Sequence, residues 1–122
     1  MPEDFYPEFR RLSPKVTGGL VRMREEAFKD AAVPAKYKIL AALVVVVVTK
    51  CEPCIRAYTK MAYQSGVTLA ELLDFLNVAI TEGGCPGEQW ALKAYQVYKE
   101  LQQGKQIEGD VCCKREDMED VK

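Results

Sequence analysis

The fold class of this chain depends on one stretch, KYKILAALVVVVVTK, which spans residues 36–50. Its five consecutive valines favour a β-strand by propensity, and periodicity alone does not separate a buried strand from a buried helix. We predict a helix, because the stretch is longer than a typical strand and no second strand candidate exists to pair with its backbone groups. A helix that is apolar on all sides belongs at the centre of a bundle or inside an oligomer.

Two shorter amphipathic helices are predicted on the N-terminal side of this stretch. Their apolar residues recur every three or four positions, which is the spacing of one helix face. Ser13 and Pro14 separate the two helices, since serine is a common N-cap and proline is favoured at the first helical position. Pro34 is placed to begin the next helix in the same way. The two predicted stripes are Phe5, Phe9 and Leu12, followed by Val16, Leu20, Met23 and Ala27.

Glycine and capping signals mark a further helix after residue 64. Gly66 supplies a stop for the preceding helix, and Thr68 with Glu71 forms a capping-box pattern for the next. The pair Gly83-Gly84 is predicted to end the helix that begins at this capping box. Its apolar pattern is the clearest in the chain, and the residues expected to face the core are Leu69, Leu72, Leu73, Leu76, Ala79 and Ile80.

The last helix is predicted to run from Pro86 to Gly104. We therefore predict an all-α protein, with a single domain of five to six helices over residues 1–104. Residues 105–122 carry many charges and few large apolar groups, so we expect a mobile tail there. The expected apolar face of the last helix consists of Trp90, Ala94, Val97 and Leu101.

Composition and charge exclude several classes of protein. The 17 basic and 18 acidic side chains give a net charge of -1, which argues against a nucleic-acid partner. The uninterrupted apolar run of residues 39–48 is about half the length that a membrane-spanning helix needs. Residues 1–11 lack the pattern of a signal peptide. We expect a cytoplasmic protein without a membrane partner, whose five cysteines are mainly thiols.

Cys51-Glu52-Pro53-Cys54 is the motif that carries chemistry. Two cysteines at this spacing can close a small disulfide, which is the usual arrangement of dithiol redox sites. If Cys51 lies at a helix start, the free N–H groups of the first turn favour its thiolate. On a helix, Cys51, Cys54 and Tyr58 share one face, so the functional interpretation is a dithiol with a phenol beside it. The alternative is an ordinary core stripe, because free cysteine is often buried.

These residues occur within a longer pattern that resembles the alkyl hydroperoxidase D-like and carboxymuconolactone decarboxylase superfamily. The matching segments, in order, are residues 38–50 leading into CEPCIRA at 51–57, GVTLAELL at 66–73, and GGCP at 83–86. The resemblance implies an all-helical AhpD-like fold that assembles as a homo-trimer or homo-hexamer. Members with the cysteine pair are peroxidases or thiol–disulfide enzymes, whereas the lactone decarboxylase branch typically lacks the pair.

The chain departs from that family at two positions. The redox branch commonly has a histidine four residues after the second cysteine and a glutamate twelve residues before the first. Tyr58 and Ile39 occupy these positions, and the chain contains no histidine at all. Tyrosine donates a proton but is a poor base near neutrality, and isoleucine does neither. The resemblance therefore carries over the dithiol without its proton relay, and Glu52 is the nearest group that could accept a thiol proton instead.

We accordingly expect an antioxidant or thiol-dependent redox protein, acting as a peroxidase or a disulfide oxidoreductase. The candidate catalytic residues are Cys51, Cys54, Tyr58 and Glu52. The expected partners are a peroxide or disulfide substrate and an external dithiol reductant, and no metal or cofactor motif is present in the sequence. The alternative is a non-catalytic oligomeric or small-ligand-binding relative. A lactone decarboxylase-like enzyme is disfavoured by the absence of histidine.

Overall fold

The computed structural model describes residues 5–107, which form five α-helices. No strand occurs among these residues, so the predicted all-α class is confirmed. None of the described helices is both long and apolar enough to cross a membrane. Three residues of the predicted tail are described: Lys105 and Gln106 are exposed, whereas Ile107 is buried. The rest of that prediction falls on residues 108–122, outside the described range. The helices are α1 Tyr6–Leu12, α2 Pro14–Ala27, α3 Ala35–Val48, α4 Glu52–Gln64 and α5 Leu69–Gln102.

Helix α3 lies at the centre of the core, packed against both α4 and α5. The valine stretch is helical, as predicted, because side chains from both neighbours cover one side of it. Leu40, Leu43 and Val47 have no exposed surface. The other side is not covered, since 59% of Val45 and 38% of Val48 remain accessible. The helix is therefore central to the core and still presents an apolar face.

The connection between α4 and α5 follows the predicted signals. Gly66 takes a positive φ of 82°, which ends α4 without the steric cost that a side chain would incur. Thr68 and Glu71 form the capping box, with each side chain accepting a hydrogen bond from the other residue's backbone N–H. The buried Tyr98 hydroxyl donates to the Val67 carbonyl at 2.7 Å, which fixes the connection to the second half of α5.

Helix α5 is two helices joined at Gly84, where the sequence predicted a break. Gly84 has φ 64° and ψ −149°, a conformation that only glycine adopts readily. The chain then reverses so tightly that a Cβ on Gly87 would lie 2.8 Å from the carbonyl oxygen of Ala79. Pro86 lies in the first turn of the second half, as predicted. We refer to residues 85–102 as the second half of α5.

Helices α1 and α2 form an N-terminal arm, residues 6–27, that packs mainly on itself. Proline occupies the first turn of α2 as predicted, but Ser13 makes no side-chain capping bond. The predicted apolar stripes are present but do not pack on the core, because α2 buries Thr17, Gly18 and Val21 instead. The exposed stripe residues include Phe5, Phe9, Leu12, Val16 and Met23, with accessible fractions between 57% and 79%.

Candidate redox site

Cys51 belongs to two helix ends at once. Its backbone N–H donates to the Val46 carbonyl at 3.0 Å, and the Lys50 N–H donates to the Val47 carbonyl at 3.2 Å. These two bonds form the Schellman arrangement that terminates α3. The Cys51 carbonyl then accepts the first hydrogen bond of α4, from the Ile55 N–H at 2.9 Å. Cys51 is the N-cap of α4, so the predicted location at a helix start is confirmed.

The geometry requires Lys50 to adopt a left-handed conformation, with φ 61°. Among the described residues it is the only non-glycine residue with a positive φ. Left-handed backbone costs an L-residue roughly 1–2 kcal/mol, because its Cβ approaches the following carbonyl oxygen. Glycine would avoid that cost. The residue directly before the dithiol is therefore held in a conformation that its side chain disfavours.

Cys51 and Cys54 form a disulfide whose Cα atoms lie 5.3 Å apart. The motif spacing thus brings the two sulfurs together, as the sequence indicated. Both residues are half-buried, and Cys54 packs against the hydrophobic core. Cys51 precedes the first turn of α4, where unpaired N–H groups and the helix dipole favour negative charge on a nearby sulfur. The described Cys85 is a free, exposed thiol and is not part of this pair.

Tyr58 is buried, with 6% of its surface accessible. Its ring contacts that of Phe28, with 5.6 Å between the ring centroids. Within the described residues, its hydroxyl has no hydrogen-bond partner. Tyr58 follows Cys54 by one helical turn of α4, so it shares the dithiol's side of the helix. The structure therefore places this phenol near the dithiol along α4 without a bond that orients it.

Ile39 lies in the same hydrophobic cluster as Tyr58 and Cys54. Only 4% of its surface is accessible. The two positions where the redox branch commonly has glutamate and histidine are therefore both occupied by core side chains. Phe28, which follows α2, packs against this cluster as well. The two relay positions therefore lie in apolar surroundings, among the side chains of this cluster.

Glu52 is the one carboxylate within the motif, and two cations contact it. Its Oε1 lies 3.5 Å from Arg56 Nη2 and 3.5 Å from Lys93 Nζ. Arg56 is one turn further along α4, whereas Lys93 comes from the second half of α5. All three side chains are roughly half exposed, so these ion pairs contribute little to stability. The predicted acid–base residue is thus part of an ion-paired group that links α4 to α5.

A polar groove of about 140 Å³ lies beside this ion-paired group. Glu52, Ile55 and Arg56 line it from α4, and Lys93, Val97 and Glu100 line it from α5. Glu100 has no ion pair within the described residues, whereas both cations share the carboxylate of Glu52. The groove therefore begins at the residue between the two cysteines and is lined by charges of both signs.

Sequence reasoning missed Lys93 and Phe28. Lys93 is 41 residues from Glu52, and only the reversal of the chain at Gly84 brings it to α4. Its helical register offered a weak signal, since Lys93, Val97 and Glu100 recur at a spacing that places them on one helix side. Phe28 follows the last helical residue of the arm, and nothing in the local pattern indicates contact with Tyr58.

Comparisons with known proteins agree with this architecture. The sequence model of the carboxymuconolactone decarboxylase family matches residues 14–96. The chain is similar to the crystal structure of an apo carboxymuconolactone decarboxylase family protein from Legionella pneumophila, with 30% identity and a TM-score of 0.73. That similarity covers 77% of this chain and 84% of the Legionella chain. An uncharacterised protein of Cupriavidus necator is 28% identical over 91 residues, 75% of this chain and 80% of its own.

Proposed function

The chain belongs to the carboxymuconolactone decarboxylase family, and we propose that it is a thiol-dependent redox protein whose centre is the Cys51–Cys54 dithiol. The observation that carries the proposal is the disulfide at the N-terminus of α4. A cysteine pair in this position combines the geometry of a reversible bridge with an environment that favours a thiolate. The protein acts as a disulfide oxidoreductase or a peroxidase, and an external dithiol returns it to the reduced state.

The apolar surroundings of Tyr58 and Ile39 favour thiol–disulfide exchange over peroxide reduction. Peroxide cleavage requires a proton for the departing oxygen, and positioned acid–base groups typically contribute about 10²–10⁴-fold to such a step. Exchange releases a thiolate, which needs less protonation than an alkoxide. Both relay positions hold core residues here. The missing relay should therefore slow thiol–disulfide exchange less than it slows peroxide reduction. We place this activity in the cytoplasm, where reducing thiols regenerate the dithiol.

Counting thiols tests the proposal directly. The reduced protein is treated with a peroxide or a small disulfide, and free thiols are then alkylated and counted by mass spectrometry. We expect the loss of two thiols per chain, with a peptide map that assigns both to Cys51 and Cys54. Cys54→Ser should abolish that two-thiol loss, while Cys85→Ser should leave it unchanged because Cys85 is separate from the pair. If neither oxidant removes the two thiols from the wild type, the redox function is wrong.

A second candidate function is a non-catalytic oligomeric or small-ligand-binding protein. The burial of Ile39 and Tyr58 supports it, because the two positions where the redox branch commonly has an acid–base pair hold core side chains instead. In that case the disulfide would be a structural cross-link at the start of α4. Turnover in the presence of excess reductant and disulfide substrate separates the two functions, because a structural disulfide is reduced once whereas a catalytic one is reduced and re-formed repeatedly.

We propose further that the protein assembles as a homo-trimer or homo-hexamer. The exposed apolar residues of the arm, such as Leu12 and Val16, and the open face of α3 around Val45 support this assembly. Light scattering at micromolar concentration should give the mass of a trimer or hexamer. The double change Leu12→Glu and Val16→Glu should lower the measured mass of the assembly. It should leave the helical circular dichroism signal unchanged, because both side chains are exposed in the single chain and do not contribute to its core. A stable wild-type monomer would contradict the assembly.

A further inference from the structure

Lys50 precedes the dithiol directly and has a backbone conformation that its own side chain disfavours. Its φ of 61° lies in the left-handed region, where the Cβ of an L-residue approaches the following carbonyl oxygen. The side chain is exposed, so packing against the core does not offset this cost. A residue keeps such a conformation only where the surrounding structure imposes it, and such residues concentrate at functional sites. Lys50 is therefore held by its neighbours rather than by its own contacts.

The neighbour that holds Lys50 is Cys51, which is attached at three points. Its N–H donates to the Val46 carbonyl at 3.0 Å, its carbonyl accepts from the Ile55 N–H at 2.9 Å, and its sulfur is bonded to Cys54. The first attachment is to the end of α3, and the other two are to the first turns of α4. The left-handed φ of Lys50 allows one residue to make all three attachments at once.

The strain at Lys50 and the hydrogen bond that it permits are of similar size. Left-handed backbone costs an L-residue about as much as one accessible N–H···O bond contributes to stability. Cys51 is half-buried and follows an exposed residue, so water can replace the Val46 carbonyl as the partner of its N–H. With these two contributions close to balance, the third attachment of Cys51, its disulfide, decides the conformation.

The disulfide favours the left-handed conformation because of where Cys54 lies. Cys54 packs against the hydrophobic core, and α3 and α4 pack against each other. A bond to Cys54 therefore holds Cys51 on α4 and, through the packing of the two helices, at the end of α3. Without that bond, Lys50 is free to take an ordinary negative φ, at the cost of one hydrogen bond that water replaces.

We propose that Lys50 is a positioning residue that makes the Cys51–Cys54 disulfide a stronger oxidant. The inference rests on the proposed redox function. In the reduction, two small thiols supply two electrons and two protons. The Cys51–Cys54 bond breaks, both cysteines become thiols, and the two small thiols leave as one disulfide. Reduction also releases Cys51 from Cys54, so Lys50 leaves the left-handed region. Because the oxidised form alone carries the strain, its release shifts the equilibrium towards the reduced protein.

The experiment measures the redox equilibrium of variants at position 50. Each protein is equilibrated with mixtures of reduced and oxidised glutathione, and the state of the Cys51–Cys54 peptide is read by alkylation and mass spectrometry. Lys50→Gly takes up the left-handed backbone without cost, so its equilibrium constant for reduction should be about five-fold lower than that of Lys50→Ala. Lys50→Ala is the reference, because it also lacks the ammonium, whose charge favours a nearby thiolate, yet keeps the Cβ.

Two further variants separate strain from flexibility. Lys50→Asn should lie between the alanine and glycine variants, since asparagine tolerates the left-handed region better than alanine does. Thr49→Gly is the matched control, because it adds a glycine to the same junction at an ordinary φ of −84°. It relieves no strain and should not lower the equilibrium constant for reduction relative to the wild type.

Amide hydrogen exchange of Cys51 gives a second readout, which follows the conformation itself. In the wild type this amide should be protected in the oxidised protein and exchange faster after reduction, because its bond to Val46 is released. In Lys50→Gly it should stay protected in both redox states, since no strain opposes that bond.

Three results would overturn the inference. They are equal equilibrium constants for Lys50→Gly and Lys50→Ala, an equal decrease in Thr49→Gly, and equal protection of the wild-type Cys51 amide in both redox states. If no glutathione mixture reduces and re-forms the wild-type disulfide, the redox function itself is wrong, and the role of Lys50 is excluded with it.

Discussion

The backbone N–H of Cys51 closes α3 on the carbonyl of Val46 at 3.0 Å, while the carbonyl of Cys51 opens α4. One residue therefore terminates the central helix and starts the helix that carries the rest of the motif. The dithiol is attached to the core through this shared residue rather than through a flexible loop. Its position is consequently set by the backbone conformation of Lys50, which precedes it.

Replacing Lys50 with glycine should stabilise the protein. The left-handed φ of 61° disfavours a side chain, so Lys50→Gly should raise the free energy of unfolding by about 1 kcal/mol. Urea denaturation of the oxidised protein measures this. Lys50→Ala is the control, since it removes the charge but keeps a Cβ in the same conformation. Equal stability of the glycine and alanine variants would show that the left-handed backbone is not the source of the effect.

Two glycines near the reversal in α5 should respond oppositely to alanine. A Cβ on Gly87 would lie 2.8 Å from a backbone carbonyl oxygen, so Gly87→Ala should destabilise the protein by about 2 kcal/mol. A Cβ on Gly83 would meet only a side-chain methyl of Val48 at 3.9 Å. Gly83→Ala should therefore be neutral or stabilising by up to about 1 kcal/mol. Thermal unfolding of the two variants measures both stability changes. If Gly87→Ala does not lower the stability, the close approach of the two halves of α5 at Gly87 is wrong.

Restoring the missing relay should alter peroxide reduction. The double change Ile39→Glu and Tyr58→His introduces an acid–base pair, and we expect peroxidase turnover to rise if that pair forms. Ile39→Glu alone should cost about 3 kcal/mol of stability, because it buries a carboxylate without a partner. Peroxide consumption with excess dithiol and urea denaturation give the two readouts.

Ile39→Val is the conservative control for that pair of changes, with an expected cost of about 1 kcal/mol and no change in turnover. Tyr58→Phe tests whether the phenol donates a proton. If the wild type reduces peroxides rapidly and Tyr58→Phe has the same rate, another group supplies the proton. A well-folded double variant without increased turnover would contradict the alignment of these two positions.

The capping box of α5 should make stability depend on acid pH. The backbone N–H of Thr68 and the ammonium of Lys36 lower the pKa of the Glu71 carboxyl below its ordinary value of 4.5. A carboxyl with a lowered pKa stabilises the folded state above its unfolded pKa, and this contribution is lost as pH falls through the folded pKa. The free energy of unfolding should therefore decrease below about pH 4.5.

Glu71→Gln isolates this contribution, because glutamine keeps the capping hydrogen bond and loses the charge. Between pH 5 and pH 3 the free energy of unfolding of this variant should change less than that of the wild type. The difference between the two changes is the contribution of the Glu71 carboxyl. The partner Lys36 has a raised pKa because it donates to Glu71. The contribution of Lys36 to the free energy of unfolding is fully present below pH 10.5, the ordinary pKa of lysine, and is lost as pH rises through the pKa in the folded state. Identical acid profiles for Glu71→Gln and wild type would exclude this role.

The order of the helices was predictable because each boundary has its own local chemistry. Gly66 and Gly84 adopt positive φ values, and the capping box of Thr68 and Glu71 forms as its spacing predicted. The helical state of the valine stretch followed from the absence of a partner strand. The exposure of the arm's apolar stripes was not predictable, because an amphipathic stripe does not specify whether it packs on the same chain or on another surface.

The candidate site was predictable only in part. The spacing of Cys51 and Cys54 indicated their disulfide, and the core setting of Ile39 followed from its apolar stretch. The contact between Glu52 and Lys93 depends on the angle at which the chain reverses in α5, which no local pattern encodes. The left-handed Lys50 was missed for a different reason, since glycine is the usual signal for that conformation.

The weak packing between the N-terminal arm and the rest of the chain predicts that the arm opens at a lower free energy than the core helices. In an isolated chain, amide hydrogens of α1 and α2 should exchange with solvent long before those of α3, since the arm can unfold without exposing Leu40 or Leu43. Protection of the arm amides is therefore a measure of what lies against its apolar stripe. If that protection increases with protein concentration, the arm's stability comes from neighbouring copies rather than from its own chain.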